Sequence, residues 1–146
     1  MTNAPTAAID EELATRLRAA VTRMNRRLRQ QSLGGLSPAQ GSALGSVSRL
    51  GTPTLGELAT AEQVQPPTMT RLVASMEAAG LVERQGDAAD GRICRVRLTA
   101  EGRRTIERIR TQKNAYLTRR IDRLEPAERA TLGELTALLE RLVAEE

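Results

Sequence analysis

The 146-residue chain has no histidine, no tryptophan, no phenylalanine, one tyrosine and one cysteine. Those absences exclude a Cys/His metal site, a disulfide framework and a histidine-assisted nucleophile, the commonest enzyme designs. Catalysis is therefore not the expected activity, and no cofactor is implied. No run of about 18 apolar residues exists to span a bilayer. The start, MTNAPTAAIDEEL, lacks the basic opening and apolar core of a secretory signal. A soluble, cytoplasmic chain is expected, with no membrane partner. What is present is Ala, Leu, Glu, Arg and Lys, about half of all residues and a composition typical of long helices when the spacing is periodic. The length suits one domain, or one domain with a helical extension.

The net charge of +4 says less than its distribution. Residues 1–53 carry +4, residues 54–98 carry −1, residues 99–124 carry +5 and residues 125–146 carry −4. A basic long helix followed by an acidic one suits helix pairing within or between chains, so much of the basicity can be structural. Nucleic-acid binding has to be argued from placed residues.

Along the chain, Leu13, Leu17, Val21, Met24 and Leu28 recur at helical spacing with Arg18, Arg23, Arg26, Arg27 and Arg29 off the stripe, which predicts a long amphipathic helix over 8–31. The first dozen residues are expected to fray. Gly34-Gly35 ends the connection, and Ser37-Pro38-Ala39-Gln40 combines an N-cap, a first-turn proline and a capping box. A second helix should run from Pro38 to about Leu50, weakened by Gly41 and Gly45 unless close helix approach requires them, and stopped by Gly51 in a left-handed cap. Thr54-Leu55-Gly56-Glu57 repeats the capping box and opens a helix of about nine residues. A tight break follows at Glu62 to Gln65. Pro66-Pro67 opens the next helix, which carries Met69, Leu72, Val73 and Met76 to Gly80. After Gly80 the period changes from helical to alternating. Leu81 to Arg84 and Ile93 to Leu98 flank the polar tract Gln85 to Arg92, the pattern of a hairpin with a long tip. Thr99 caps a helix predicted to reach Leu124, and Pro126 starts the last one, with Leu132, Leu135, Leu139 and Leu142 along a seam.

The expected fold is therefore mainly α with a small β-hairpin wing, a winged helix-turn-helix flanked by N- and C-terminal helices. In that shape the second helix fits the DNA major groove and the hairpin reaches the neighbouring backbone or minor groove. The residues Glu57-Leu58-Ala59, Pro67 to Val73, Gly80 to Arg84, Asp90-Gly91-Arg92 and Leu98-Thr99-Ala100-Glu101-Gly102, in this order and spacing, resemble the MarR family of bacterial transcriptional regulators. The resemblance spans nearly all of residues 8–143. Three departures stand out: Glu62 lies where an apolar residue is more common, Gln63 where glycine is frequent, and Asp90-Gly91-Arg92 where many relatives carry two consecutive arginines.

On the helix opening at Pro66, the apolar set must face the core, which leaves Gln65, Pro66, Thr68, Thr70 and Arg71 toward solvent. Arg can bind guanine through two hydrogen bonds, Gln can pair with adenine, and Thr can offer a hydroxyl and a methyl group to thymine. The prolines fix the helix start and approach the backbone. Arg92 at the wing tip can enter a narrow minor groove, or pair with Asp90 or Asp87 to stiffen the loop, and Asp90 can orient it. Arg95 and Arg97 leave the strand opposite Cys94, toward phosphate or solvent. Cys94 alternates with Val96 and Leu98 and so reads as an inward, structural thiol, although a redox role is an alternative. Tyr116 reads as a dimer-core or partly exposed ring, or as part of a ligand crevice.

The resemblance implies a homodimer built from both ends of the chain, which places Leu13, Leu17, Leu117, Ile121, Leu135, Leu139 and Leu142 in its interface. The implied organisation is 1–36 for N-terminal dimerisation, 37–99 for the DNA-binding lobe and 100–146 for C-terminal dimerisation. It also implies repression at a pseudo-palindromic duplex operator, relieved by a small aromatic or lipophilic effector between the dimer helices and the lobe. Because the chain is poor in rings, such a crevice would be lined mostly by Leu, Met, Val and Arg, with Tyr116 as its only ring. The rival readings are a redox-sensing regulator using Cys94 and a helical protein-interaction module that does not bind DNA.

Overall fold

The computed structural model describes the backbone of residues 4–31 and 35–144 and side chains from residue 10 onward, so Gly34 lies outside the described residues. The order is α1 (Ala4–Gln30), α2 (Pro38–Leu50), α3 (Leu55–Ala61), α4 (Pro66–Ala78), β1 (Val82–Gly86), β2 (Cys94–Leu98), α5 (Ala100–Ile121) and α6 (Pro126–Ala144). This is a mainly helical chain with a two-stranded antiparallel hairpin. Two compact units divide it, residues 1–113 and 114–146. No helix among the described residues is long and apolar enough to cross a membrane.

The helix starts follow local chemistry. Both capping boxes close: Ser37 Oγ accepts the Gln40 N–H at 3.1 Å while Gln40 Oε1 accepts the Ser37 N–H at 2.9 Å. Thr54 and Glu57 repeat the exchange at 3.1 and 2.7 Å. Thr99 Oγ1 caps α5 by accepting the Gly102 N–H at 3.0 Å. α1 starts at Ala4, four residues ahead of the expected start, with Pro5 in its first turn, and residues 1–3 lie outside the described residues.

Several ends differ from expectation. α3 has seven residues, not nine, because the N–H of Glu62 closes it on Leu58 and the chain then reverses. α5 stops at Ile121 rather than Leu124: Arg129 donates to the carbonyls of Asp122 and Leu124 at 2.8 and 3.1 Å, satisfying the acceptors that a further turn would have used. Gly51 has φ 83° as expected but ψ −84°, so its cap is not the left-handed helical one. α4 ends at Ala78, and Gly80 at φ 72° lets the Leu81 N–H reach back to Met76 O at 2.9 Å.

In the first unit, Leu44 and Val47 of α2, Leu58 of α3, Met69, Val73 and Met76 of α4, Val82 of β1 and Val96 of β2 meet in one fully buried cluster. The hairpin pairs Val82 with Leu98 through Gly86 with Cys94, so Gln85 and Gly86 belong to the strand and not to the tip. A third segment joins its edge: the Val96 N–H donates to Pro53 O at 2.8 Å, and Thr54 bridges Arg95. Cys94 shares the strand face of Val96 but is only half-buried and lies outside the cluster.

Two glycines act oppositely. Nothing lies within 4 Å of a Cβ built on Gly45, so close helix approach does not explain it. At Gly102 the same atom would overlap the Leu81 carbonyl, so only glycine lets α5 leave the wing at this angle.

Candidate nucleic-acid interface

α4 buries Met69, Val73 and Met76 and leaves Gln65, Pro66, Thr68, Thr70 and Arg71 exposed. Its first turn is chemically unusual. Pro66 and Pro67 have no N–H, and the Thr68 N–H is taken by Gln65 O at 3.0 Å. The free backbone donors that normally make a helix start an anion site are therefore missing from its first three positions, and contacts there fall to side chains. Gln65 makes no capping bond with its side chain. The Thr70 hydroxyl donates to Pro66 O at 3.0 Å, leaving its methyl group and lone pairs for an outside partner. The Arg71 guanidinium has no hydrogen bond or ion pair among the described residues.

The turn into α4 accounts for two departures in sequence. Gln63 has φ 53°, the single positive-φ non-glycine among the described residues, which is why glycine is frequent there. The half-buried Glu62 accepts a hydrogen bond from Ser46 of α2, and Arg49 donates to the same hydroxyl at 3.3 Å. A carboxylate thus replaces apolar packing with a polar tie between α2 and the turn. Arg84 of β1 makes a further tie, to Thr70 O and the Glu77 carboxylate, both at 3.4 Å. No local pattern announced either tie, since their partners lie 16 and 14 residues apart.

The wing is organised by aspartates. Asp87 Oδ1 accepts the N–H groups of Ala89 and Asp90 at 2.7 and 3.3 Å, and Asp90 Oδ1 accepts the backbone N–H and Nε of Arg92 at 3.0 and 3.2 Å. The Arg92 side chain is nonetheless 90% exposed. Arg95 and Arg97 do not project freely: Arg95 Nε donates to Asp87 Oδ2 at 2.6 Å and Nη1 to Thr52 O at 3.0 Å, while Arg97 pairs with Glu83 across the strands. The Arg95 bond, followed by the Ala89 N–H, holds the Asp87 carboxyl below its usual range, and the same bond raises Arg95.

Elsewhere, a cavity of about 310 Å³ lies among Asn25, Arg29, Ser42, Arg49, Ile109 and Lys113, with Gly41 and Gly45 in its wall. Its lining mixes polar, cationic and apolar groups: it contains arginines, as expected of a crevice, but no Leu, Met or Val, and Tyr116 is not among its lining residues. Tyr116 is buried, with the Arg120 guanidinium 3.5 Å from its ring centroid.

A helix-turn-helix with an adjoining hairpin, an exposed second helix and a tip arginine defines a winged helix-turn-helix DNA-binding protein. The MarR family model matches residues 34–93. An uncharacterized HTH-type transcriptional regulator of Mycobacterium bovis is 35% identical over 137 residues, 93% of this chain and 96% of the relative. A transcriptional regulator structure from Pseudomonas aeruginosa aligns with a TM-score of 0.85 and 34% identity over 95% of this chain and 98% of that one. The Staphylococcus aureus regulator MepR, in a structure bound to an oligodeoxyribonucleotide, shares the fold with a TM-score of 0.66 and 24% identity over 89% and 97%. This chain belongs to the MarR family of HTH-type transcriptional regulators.

Proposed function

We propose that the protein is a homodimeric repressor that covers a pseudo-palindromic operator, with α4 of each protomer in a major groove and Arg92 in the flanking minor groove. The observation that carries this reading is the free, exposed Arg71 on the outer face of α4, beside Gln65, Pro66, Thr68 and Thr70. Base-reading side chains at the start of the second helix are what such units use. Asp90 serves by aiming Arg92. The lobe's nearly balanced charge suits a few placed arginines more than a broad basic field. Repression needs only that bound protein occlude the promoter, in the cytoplasm where the DNA lies.

Dimerisation is supported by what the helices leave uncovered. Leu13, Leu17, Val21 and Met24 of α1 and Leu132, Leu135, Leu139 and Leu142 of α6 are exposed, and α6 buries no residue at all. Leu117 and Ile121 of α5 are half-buried. Apolar stripes of this length on a solvated helix call for a partner helix. In this reading 1–36 and 100–146 pair the protomers, and 37–99 binds DNA. An effector relieves repression from the cationic cavity; Arg29, Arg49 and Lys113 suit a small organic acid. A ligand that prefers one spacing of the two α4 helices shifts the population, and DNA weakens its binding by the same factor.

Selection of bound fragments from the source genome, followed by footprinting, tests the function. The expected result is two half-sites about one helical turn apart; failure to find any site bound more tightly than random DNA overturns it.

A further inference from the structure

Arg95 has a more specific task than its position on the wing suggests. Its guanidinium grips two separate segments: Asp87 at the base of the tip and the Thr52 carbonyl in the α2–α3 connection, 43 residues away. The Asp87 side chain is only 14% exposed, and its second oxygen holds the backbone of Ala89 and Asp90. Asp90 then holds Arg92 by both backbone N–H and Nε. Two backbone bonds close the same loop, Asp87 N–H to Ile93 O at 2.9 Å and Ile93 N–H to Asp90 O at 3.0 Å. Each member of the series Thr52, Arg95, Asp87, Asp90, Arg92 is thus in direct contact with the next or with its backbone. The Glu57 carboxylate adds an attractive field on Arg95 from α3.

We propose that Arg95 is a positioning residue for DNA binding: it anchors the wing tip to the helix-turn-helix body so that Arg92 is presented in one orientation. The proposal rests on the reading of Arg92 as a DNA contact. A tip with seven residues between the strands, Asp87 to Ile93, loses much conformational freedom when it docks, and ordering it beforehand lowers that loss. A short, charge-assisted bond to a mostly covered carboxylate is strong enough for the task, unlike an exposed ion pair.

A double-mutant cycle on a selected operator tests it, with Arg95→Met, Arg92→Ala and the double variant, all checked for unchanged helix content. Arg95→Met and Arg92→Ala are each expected to weaken binding by about tenfold, the order of one lost charged hydrogen bond. The double variant is expected to be no weaker than Arg92→Ala alone. Asp87→Asn should behave like Arg95→Met, and Arg95→Lys, which keeps a charged donor facing Asp87, should retain more affinity than Arg95→Met. If Arg95 touches phosphate itself, the two losses multiply and the double variant loses a further step of salt dependence; that result overturns the proposal while leaving Arg92 a contact. If Arg92→Ala binds normally, the wing reading fails and the proposal with it.

Discussion

Arg71 carries the sharpest prediction at the residue scale, because its guanidinium is exposed and unengaged while the neighbouring arginines of the lobe are committed to carboxylates. Arg71→Ala is expected to weaken operator binding by about 1–3 kcal/mol, the range for one bidentate base contact, and to change non-specific binding far less. Competitive binding against random DNA measures both. Gly102→Ala is expected to destabilise the fold by about 1–3 kcal/mol, as for overpacking of a tight contact, seen as a lower urea midpoint. The carboxyls of Glu57, Asp87 and Glu101 are all held below their usual range, chiefly by the Thr54 N–H, Arg95 and Arg104 respectively. Their folded-state values lie below the unfolded ones, so their stabilisation is complete above the usual carboxylate range of about 4 and is lost as pH falls through the lowered values. Thermal unfolding from pH 6 down to 2 should show that loss, with a shallower decline in Asp87→Asn. Arg71 was legible as a candidate because its face follows from helical spacing alone. The commitments of Arg95 and Arg97 were not, since alternation tells which face a side chain leaves from but not which carboxylate meets it.

Most boundaries at the scale of elements were legible because they are made by groups within four residues of each other. The Ser37 and Thr54 boxes, the prolines at 38, 66 and 126 and the glycines at 51 and 80 all act locally. Among the misjudged ends, those of α3 and α5 depend on where a reversing chain or the Arg129 side chain meets the last carbonyls. Gly45 yields a prediction of the same kind. With open space around its missing Cβ, Gly45→Ala should stabilise α2 by up to about 1 kcal/mol, while narrowing the cationic cavity whose wall it forms. A higher melting temperature with an impaired response to organic acids would tie that cavity to effector binding. An unchanged response would remove it from consideration.

For the whole molecule, the exposed stripes on α1 and α6 are the dominant fact, since both stay exposed among the described residues. Replacing Leu135 and Leu139 together by Glu is expected to give a monomer by sedimentation and to reduce operator affinity by at least 100-fold, because two half-sites then bind independently. A variant that stays dimeric would move the interface elsewhere.

The sequence by itself determined the helices, the hairpin and the outward face of α4, because caps, prolines and periodicity act over one or two turns. Only the tertiary structure decided that Glu62 ties the turn to Ser46, that Gly102 is sterically required by Leu81, and that Arg95 is held between Asp87 and Thr52. Each of these joins segments far apart in the chain. Such contacts exist only after the core cluster has brought helices and hairpin together, and no local spacing encodes their partners.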